Sequence, residues 1–319
     1  MVYTSYLDVG ILRDVLLSNA GFQLSFVVPA YLIGRATNYM EAKDLVWGIG
    51  QSASVWWAAI GRHMIAGVPI ATILKSLTRS GWLLLTGATL WGVRLSYRVA
   101  SRALKRGKDD SRYEQLKNES SGWTKSLFSM YLPEAIAQAI ITLPLTVPFR
   151  ASLPTITPIR GIENYLHAFA IFLYTSGYAI EALADYQLSV NQESKNPNLL
   201  TEGVWSIVRH PNYLGDILIH ASFPILLYAN GLFSPITLLG PIANWFFLRF
   251  ISGDKENEAN QAARYEKNNP EKKEEFDAFR AEKNSVWPDL REVKNKWTWI
   301  VLAIGSSGVL TEAVVSSLL

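Results

Sequence analysis

The stretch Gly203-Val-Trp-Ser-Ile-Val-Arg209-His210-Pro211-Asn212-Tyr213-Leu-Gly215-Asp216 places a guanidinium and an imidazole directly before a proline, where an apolar run begins. Proline is favoured in the first turn of a helix, because its missing N–H leaves nothing unsatisfied there. A helix starting at this point presents unpaired N–H groups and a partial positive charge, a setting that suits a phosphate or a carboxylate. Arg209 and His210 add side-chain donors beside it. The same two residues also suit a structural role, the arginine snorkelling to an interface and the histidine capping a neighbour.

Upstream, Glu181 and Asp185 stand at i and i+4 on one helix face. Two carboxylates so close at a membrane boundary are unfavourable unless each has a partner. Arg209, Arg94, Arg98 or an amide-bearing ligand would serve, and a structural ion pair is the competing reading. Arg94, Arg98 and Arg102 recur at the same spacing and give another face a ladder of guanidinium forks, which extends to Arg106 and Arg112-Tyr113. That geometry suits a pyrophosphate or ribose phosphate, and equally an anchor against anionic headgroups. Glu134 and Gln138 form a polar i, i+4 pair inside an apolar stretch, as do Tyr174 and Tyr178. At bilayer depth such groups face the bundle interior, to orient a substrate oxygen or to bond across helices.

The elements that must position these groups are apolar. The chain has 319 residues, 49% of them hydrophobic, with eleven tryptophans. Its charge is gathered: 254–296 holds eleven of the 27 acids and ten of the 30 bases. Cysteine is absent, which excludes disulfides, thiolate catalysis and cysteine-ligated metal centres. A net charge of +3, with no basic run interleaved with aromatics, gives no footprint for nucleic acid. No metal-ligand pattern stands out.

Apolar runs of spanning length fall near 14–34, 44–62, 80–99, 126–149, 163–184, 212–230 and 233–252, and an eighth closes the chain at 297–319. The expected fold is therefore all-α, a polytopic integral membrane bundle of about seven or eight transmembrane helices. The run 15–34 lacks a basic leader and reads as a first span rather than a secretory peptide. The stretch 64–79, interrupted by Pro69, Lys75 and Arg79, reads as a lead-in, a re-entrant piece or the start of a long third helix. The organisation divides into N-terminal helices (1–79), a core carrying a cytosolic site (80–252), a charged segment (253–296) and a C-terminal apolar helix (297–319). The charged segment is either a solvated amphipathic helix or a cap over the site.

The order Trp91…Arg94…Arg112-Tyr113, Glu181-x-x-x-Asp185, Gly203-x-Trp205 and Arg209-His-Pro-Asn-Tyr-x-Gly215 resembles the steroid 5-alpha-reductase-like membrane family. The Arg-His-Pro-x-Tyr-x-Gly element is shared with isoprenylcysteine carboxyl methyltransferases and sterol reductases, and the acidic pair upstream favours the reductase branch. The resemblance implies an enzyme that uses NADPH to reduce the activated C=C of a lipophilic enone, steroid-, terpenoid- or polyketide-like, within a membrane (the endoplasmic reticulum in a eukaryote). It assigns Glu181 and Asp185 to the nicotinamide carboxamide and Asn212, beside Tyr213, to the cofactor ribose. Arg209 and His210 fall near the phosphates, with Arg94 and Arg112 as further phosphate ligands. Asp216 stands where the family usually has glutamate. A donor must also polarise the enone oxygen, and Glu134 and Tyr178 are the candidates for this catalytic role. The rivals are an S-adenosylmethionine-dependent membrane methyltransferase and a non-catalytic sterol-binding protein.

The charge pattern fixes an orientation. Lys and Arg gather after the third run, again around Arg209 and through 254–296, whereas 229–234 carries no charge. Single cysteines introduced into 98–125, 191–210 and 254–296 of this cysteine-free chain are expected to react with an impermeant maleimide from the same side of the membrane. Labelling of 191–210 from the opposite side to 98–125 would refute that orientation.

Overall fold

The computed structural model describes residues 12–110, 113–150, 155–194, 198–251 and 253–318. It is 82% helix, with no strand among the described residues, so the chain is all-α. Numbering the helices of eight residues or more gives α1 Ser18–Thr37, α2 Ala42–Trp56, α3 Arg79–Arg106, α4 Leu132–Ile141, α5 Leu143–Arg150, α6 Glu163–Glu193, α7 Pro211–Ala229, α8 Leu239–Phe246, α9 Asp254–Asn268, α10 Pro270–Glu282 and α11 Lys296–Leu318.

Each of the eight expected apolar runs falls on helix. Among the described residues, three helices are long and apolar enough to cross a membrane: Val15–Thr37, Glu163–Glu193 and Lys296–Leu318. The pair Gly122–Ile141 and Leu143–Arg150, bent by 59°, makes a fourth if counted as one span. Several apolar helices of this kind are consistent with an integral membrane protein. The bend falls next to Pro144, which supplies no N–H and crowds the preceding turn. The stretch 64–79 resolves as a lead-in: a short helix, Ile70–Ser76, ends before an extended Leu77, and Thr78 caps α3 by accepting from the Gly81 N–H at 3.1 Å.

The chain folds as two compact units, one of residues 1–157 and 230–243, the other of 158–229 and 244–319. In the first, α2 and α3 cross at contact distance. A methyl carbon built on Gly92 would lie 2.4 Å from the Gly48 carbonyl oxygen, and one on Gly48 would lie 2.6 Å from that of Gly92. Ser52 locks the crossing by donating to the Ala88 carbonyl at 2.6 Å. Small residues that let backbones approach replace the hydrophobic drive that apolar lipid does not supply.

The charged end of this unit is organised around acids. Asp109 accepts from the backbone N–H of Met40 (2.7 Å) and Glu41 (3.0 Å) and pairs with Lys117 at 2.9 Å. Glu41, fully buried, pairs with Arg106 and lies 3.7 Å from Arg102. The lower rungs of the arginine ladder thus serve the fold.

In the second unit α7 and α11 both pack along α6. Thr175 donates to the Gly305 carbonyl at 2.9 Å, and His167 lies 3.4 Å from Glu312. Most of the remaining surface of α11 is exposed and apolar, including Trp299, Leu310 and Leu318.

The crossing of α2 and α3 can be tested with two alanines. Gly92→Ala is expected to lower the melting temperature of the purified protein by several degrees, since overpacking costs about 1–3 kcal/mol. Gly21→Ala, with nothing within 4 Å of its added carbon, is expected to be neutral or slightly stabilising. Equal melting temperatures for wild type and Gly92→Ala would contradict the contact.

Candidate functional site

The motif residues of the second unit converge because α6 and α7 touch through glycine. A methyl carbon on Gly215 would stand 2.5 Å from the Gly177 carbonyl oxygen and 2.7 Å from the Glu181 Cβ. The motif glycine is therefore a contact residue that seats the start of α7 beside Glu181. Glu181 and Asp216 are both buried at this seam. Asp216 Oδ1 lies 3.3 Å from Nε2 of the fully buried His220, one turn along. Asp185, one turn beyond Glu181, is half-buried.

The loop before α7 is fastened to α6. Gly203 has φ +70°, and its open side is filled by the Gln187 amide, which accepts from the Val204 N–H at 2.9 Å. The Trp205 indole donates to the Ala184 carbonyl at 3.2 Å. The Gly-x-Trp element thus anchors the loop.

Arg209 and His210 meet a protein acid. Glu258, on α9, accepts from Arg209 Nε at 2.8 Å and Nη2 at 3.1 Å, lies 2.8 Å from His210 Nε2, and pairs with Arg280 Nε at 3.1 Å. Arg209 also donates to the carbonyls of Arg280, at 3.1 Å, and Lys283. The backbone N–H groups of Arg209 and His210 donate to the carbonyls of Asn284 (3.0 Å) and Ser285 (2.9 Å). His210 stacks on Tyr213, whose hydroxyl accepts from Asn257 at 2.6 Å. Both donors expected at cofactor phosphates are thus engaged by Glu258, and a phosphate there would have to compete with it.

The charged segment folds back on this turn. It forms two helices broken at Asn269–Pro270, with Asn269 capping α10 and with Phe276 and Phe279 buried. Burial disfavours the charge of Glu258, but hydrogen bonds from His210 and Arg209 outweigh it and hold the carboxyl at about 2, below its ordinary 4.5.

Two asparagines in this unit, half-buried Asn212 and fully buried Asn244, have unmet capacity among the described residues. Asn212 Oδ1 accepts no hydrogen bond, and neither amide atom of the fully buried Asn244 has a partner. Glu181 and Asp216 are further buried polar side chains of the same unit. Tyr178 lies on α6, half-buried and stacked on Tyr174 with ring centroids 6.2 Å apart.

The other expected residues lie elsewhere. Arg94 belongs to the first unit, half-buried on α3. Arg112 lies outside the described residues. Glu134, also in the first unit, is paired with buried Lys43, which bonds Asp44 at 2.8 Å as well. The expected neutral carboxylic acid there does not fit a carboxylate held by a lysine. Lys43 went unread in the sequence because it stands just before an apolar run and resembles an interfacial flank. Gln187, Asn257 and His220 were also missed, and only His220, at i+4 from Asp216, carried a local signal.

A family model described as "Protein of unknown function (DUF1295)" matches residues 30–282. The chain belongs to this family. No curated protein and no solved structure matches it. The DUF1295 match takes in the Arg209-His210 turn and Glu258, ends with α10, and leaves out α11.

The Glu258 knot predicts an acid response. Its folded pKa lies below the unfolded value, so its contribution is complete above about pH 4.5 and is lost as pH falls toward about 2. Glu258→Gln leaves the half-buried Arg209 guanidinium without its charge partner, a cost of about 1–3 kcal/mol. The variant is expected to melt several degrees lower at pH 7 and to lose less melting temperature than wild type between pH 5 and 3. Parallel pH profiles for the two proteins would contradict the assignment.

Proposed function

We propose that this chain is an NADPH-dependent membrane reductase of the steroid 5-alpha-reductase-like type, acting on the activated C=C of a lipophilic enone. The observation that carries the reading is the set of buried polar groups in the second unit: Glu181 beside Gly215 at the α6–α7 seam, Asp216 next to that glycine, and Asn212 with an unmet acceptor. The family resemblance read from the sequence supplies the identity of the ligand. An amide N–H₂ donates to carboxylates, and hydroxyls bond to amides, so the residues present suit a nicotinamide carboxamide and a ribose.

On this reading Glu181 and Asp185 hold the carboxamide and Asn212 the ribose. When bound, NADPH supplies a hydride for the β-carbon of the alkene. Glu258 holds Arg209 and His210 so that the start of α7 is fixed under the charged segment, which serves as its cap. Tyr178 is the candidate donor to the enone oxygen, since Glu134 is committed to Lys43. The reading further takes α1, α2, α3, the bent α4–α5 pair, α6, α7, α8 and α11 as spans. In a eukaryote it would place the protein in the endoplasmic reticulum. The choice of NADPH over NADH rests on the arginines read in the sequence.

Thermal-shift titration of the purified protein with NADPH, NADH and S-adenosylmethionine tests the reading. NADPH is expected to raise the melting temperature most. Asp185→Asn is expected to leave the nucleotide-free melting temperature nearly unchanged and to weaken NADPH roughly ten- to a hundredfold, the loss of one charge-assisted contact of about 1.5–3 kcal/mol. A variant that melts several degrees lower without nucleotide, yet keeps wild-type affinity, would make the acidic pair structural. Stabilisation by S-adenosylmethionine alone would assign the methyltransferase branch.

A further inference from the structure

The core of the first unit carries a stripe of buried polar side chains. On α4 and the segments that flank it, Tyr131, Glu134, Gln138, Thr142 and Thr146 follow at one-turn spacing, and each is buried. Asn19 and Gln23 face them from α1: Asn19 donates to Thr146 Oγ1 at 2.8 Å and to the Ala139 carbonyl at 3.2 Å. Gln23 donates to Ser54 Oγ at 2.8 Å and to the Gly50 carbonyl at 3.3 Å, on α2.

In the middle of this stripe the hydrogen bonding is incomplete. The carbonyl oxygens of Gln23 and Gln138 both face Gly50, where a methyl carbon would stand 3.0 Å from one and 3.3 Å from the other. Among the described residues Gln23 Oε1 accepts no hydrogen bond, and neither amide atom of Gln138 has a partner. Gln51, the next residue on α2, is fully buried with both amide atoms unmatched as well. These side chains have no exposure at all, so bulk solvent does not complete them. An amide left dry in an apolar bundle is costly, and buried polar groups in folded proteins are almost always satisfied.

We propose that Gln23 and Gln138, beside Gly50, form a binding site for an O–H group, one helical turn from Glu134. The chemistry required is a ligand that donates to amide oxygens and accepts from an amide N–H. Water provides it, and so does the hydroxyl of a lipid alcohol. The inference concerns the first unit alone and stands apart from the reductase reading.

Hydroxyl-radical footprinting in detergent, with Gln138→Leu as the comparison, tests it. Bound water marks adjacent side chains that have no solvent exposure, so the wild-type 131–142 peptide is expected to be oxidised several-fold more than that of the variant. The variant is expected to melt at or below the wild-type temperature. If Gln138→Leu does not fold, Gln23→Leu takes its place. Hexadecanol separates the two sources. If it raises the wild-type melting temperature where hexadecane does not, the occupant is a lipid hydroxyl, and the oxidation is then suppressed by the alcohol. No oxidation of the 131–142 peptide, no response to the alcohol and a higher melting temperature for the leucine variant would together show a dry amide cluster and overturn the proposal.

Discussion

Glu258 takes three basic side chains from two stretches of chain: Arg209 and His210 before α7, and Arg280 near the end of α10. The carboxylate is buried, and so are parts of its partners, so each charge depends on the others for solvation. Around this group the backbone of the Arg209-His210 turn bonds to Asn284 and Ser285, and Tyr213 bonds to Asn257. Without it, the buried apolar anchors of α9 and α10 among the described residues would be Phe276 and Phe279. The charged segment is thereby an attached part of the second unit, and the start of α7 is held from outside as well as from α6.

A second constraint operates inside the helices. In a chain this apolar, polar groups that leave water must find partners within the protein. The fold meets this by bringing backbones together at glycine, Gly48 against Gly92 in one unit and Gly177 against Gly215 in the other. Close approach lets Ser52 reach the Ala88 carbonyl and sets Glu181 beside the motif glycine. Partners are missing among the described residues at the Asn212 Oδ1 and at both amide atoms of Asn244 in the second unit.

Local pattern made much of this legible in the sequence. The apolar runs announced the helices, Pro211 announced the start of α7, and the one-turn spacings of Glu181–Asp185 and Glu134–Gln138 announced shared faces. The partners were not legible, because they are distant along the chain. Glu258 lies 49 residues beyond Arg209, and Lys43 lies 91 residues before Glu134. Nothing in the spacing of Arg209 and His210 distinguishes a phosphate from a carboxylate supplied by the protein. The number of membrane crossings was also finer than composition supports. The α2 helix is only 15 residues long, and the arginines of α3 lower its mean hydropathy below that of α1, α6 and α11.

The central claim is that hydride from a nicotinamide nucleotide reaches the C=C of a lipophilic molecule in this protein. The most direct measurement is label transfer in membranes containing the overproduced chain. The membranes are incubated in parallel with NADPH deuterated at the transferable position and with methyl-deuterated S-adenosylmethionine, and the lipid extract is read by mass spectrometry. The account predicts a lipid that has gained one deuterium from NADPH and one hydrogen from solvent across a former double bond, absent from control membranes. Transfer of the deuterated methyl group, with no NADPH-derived deuterium in any lipid, would contradict it.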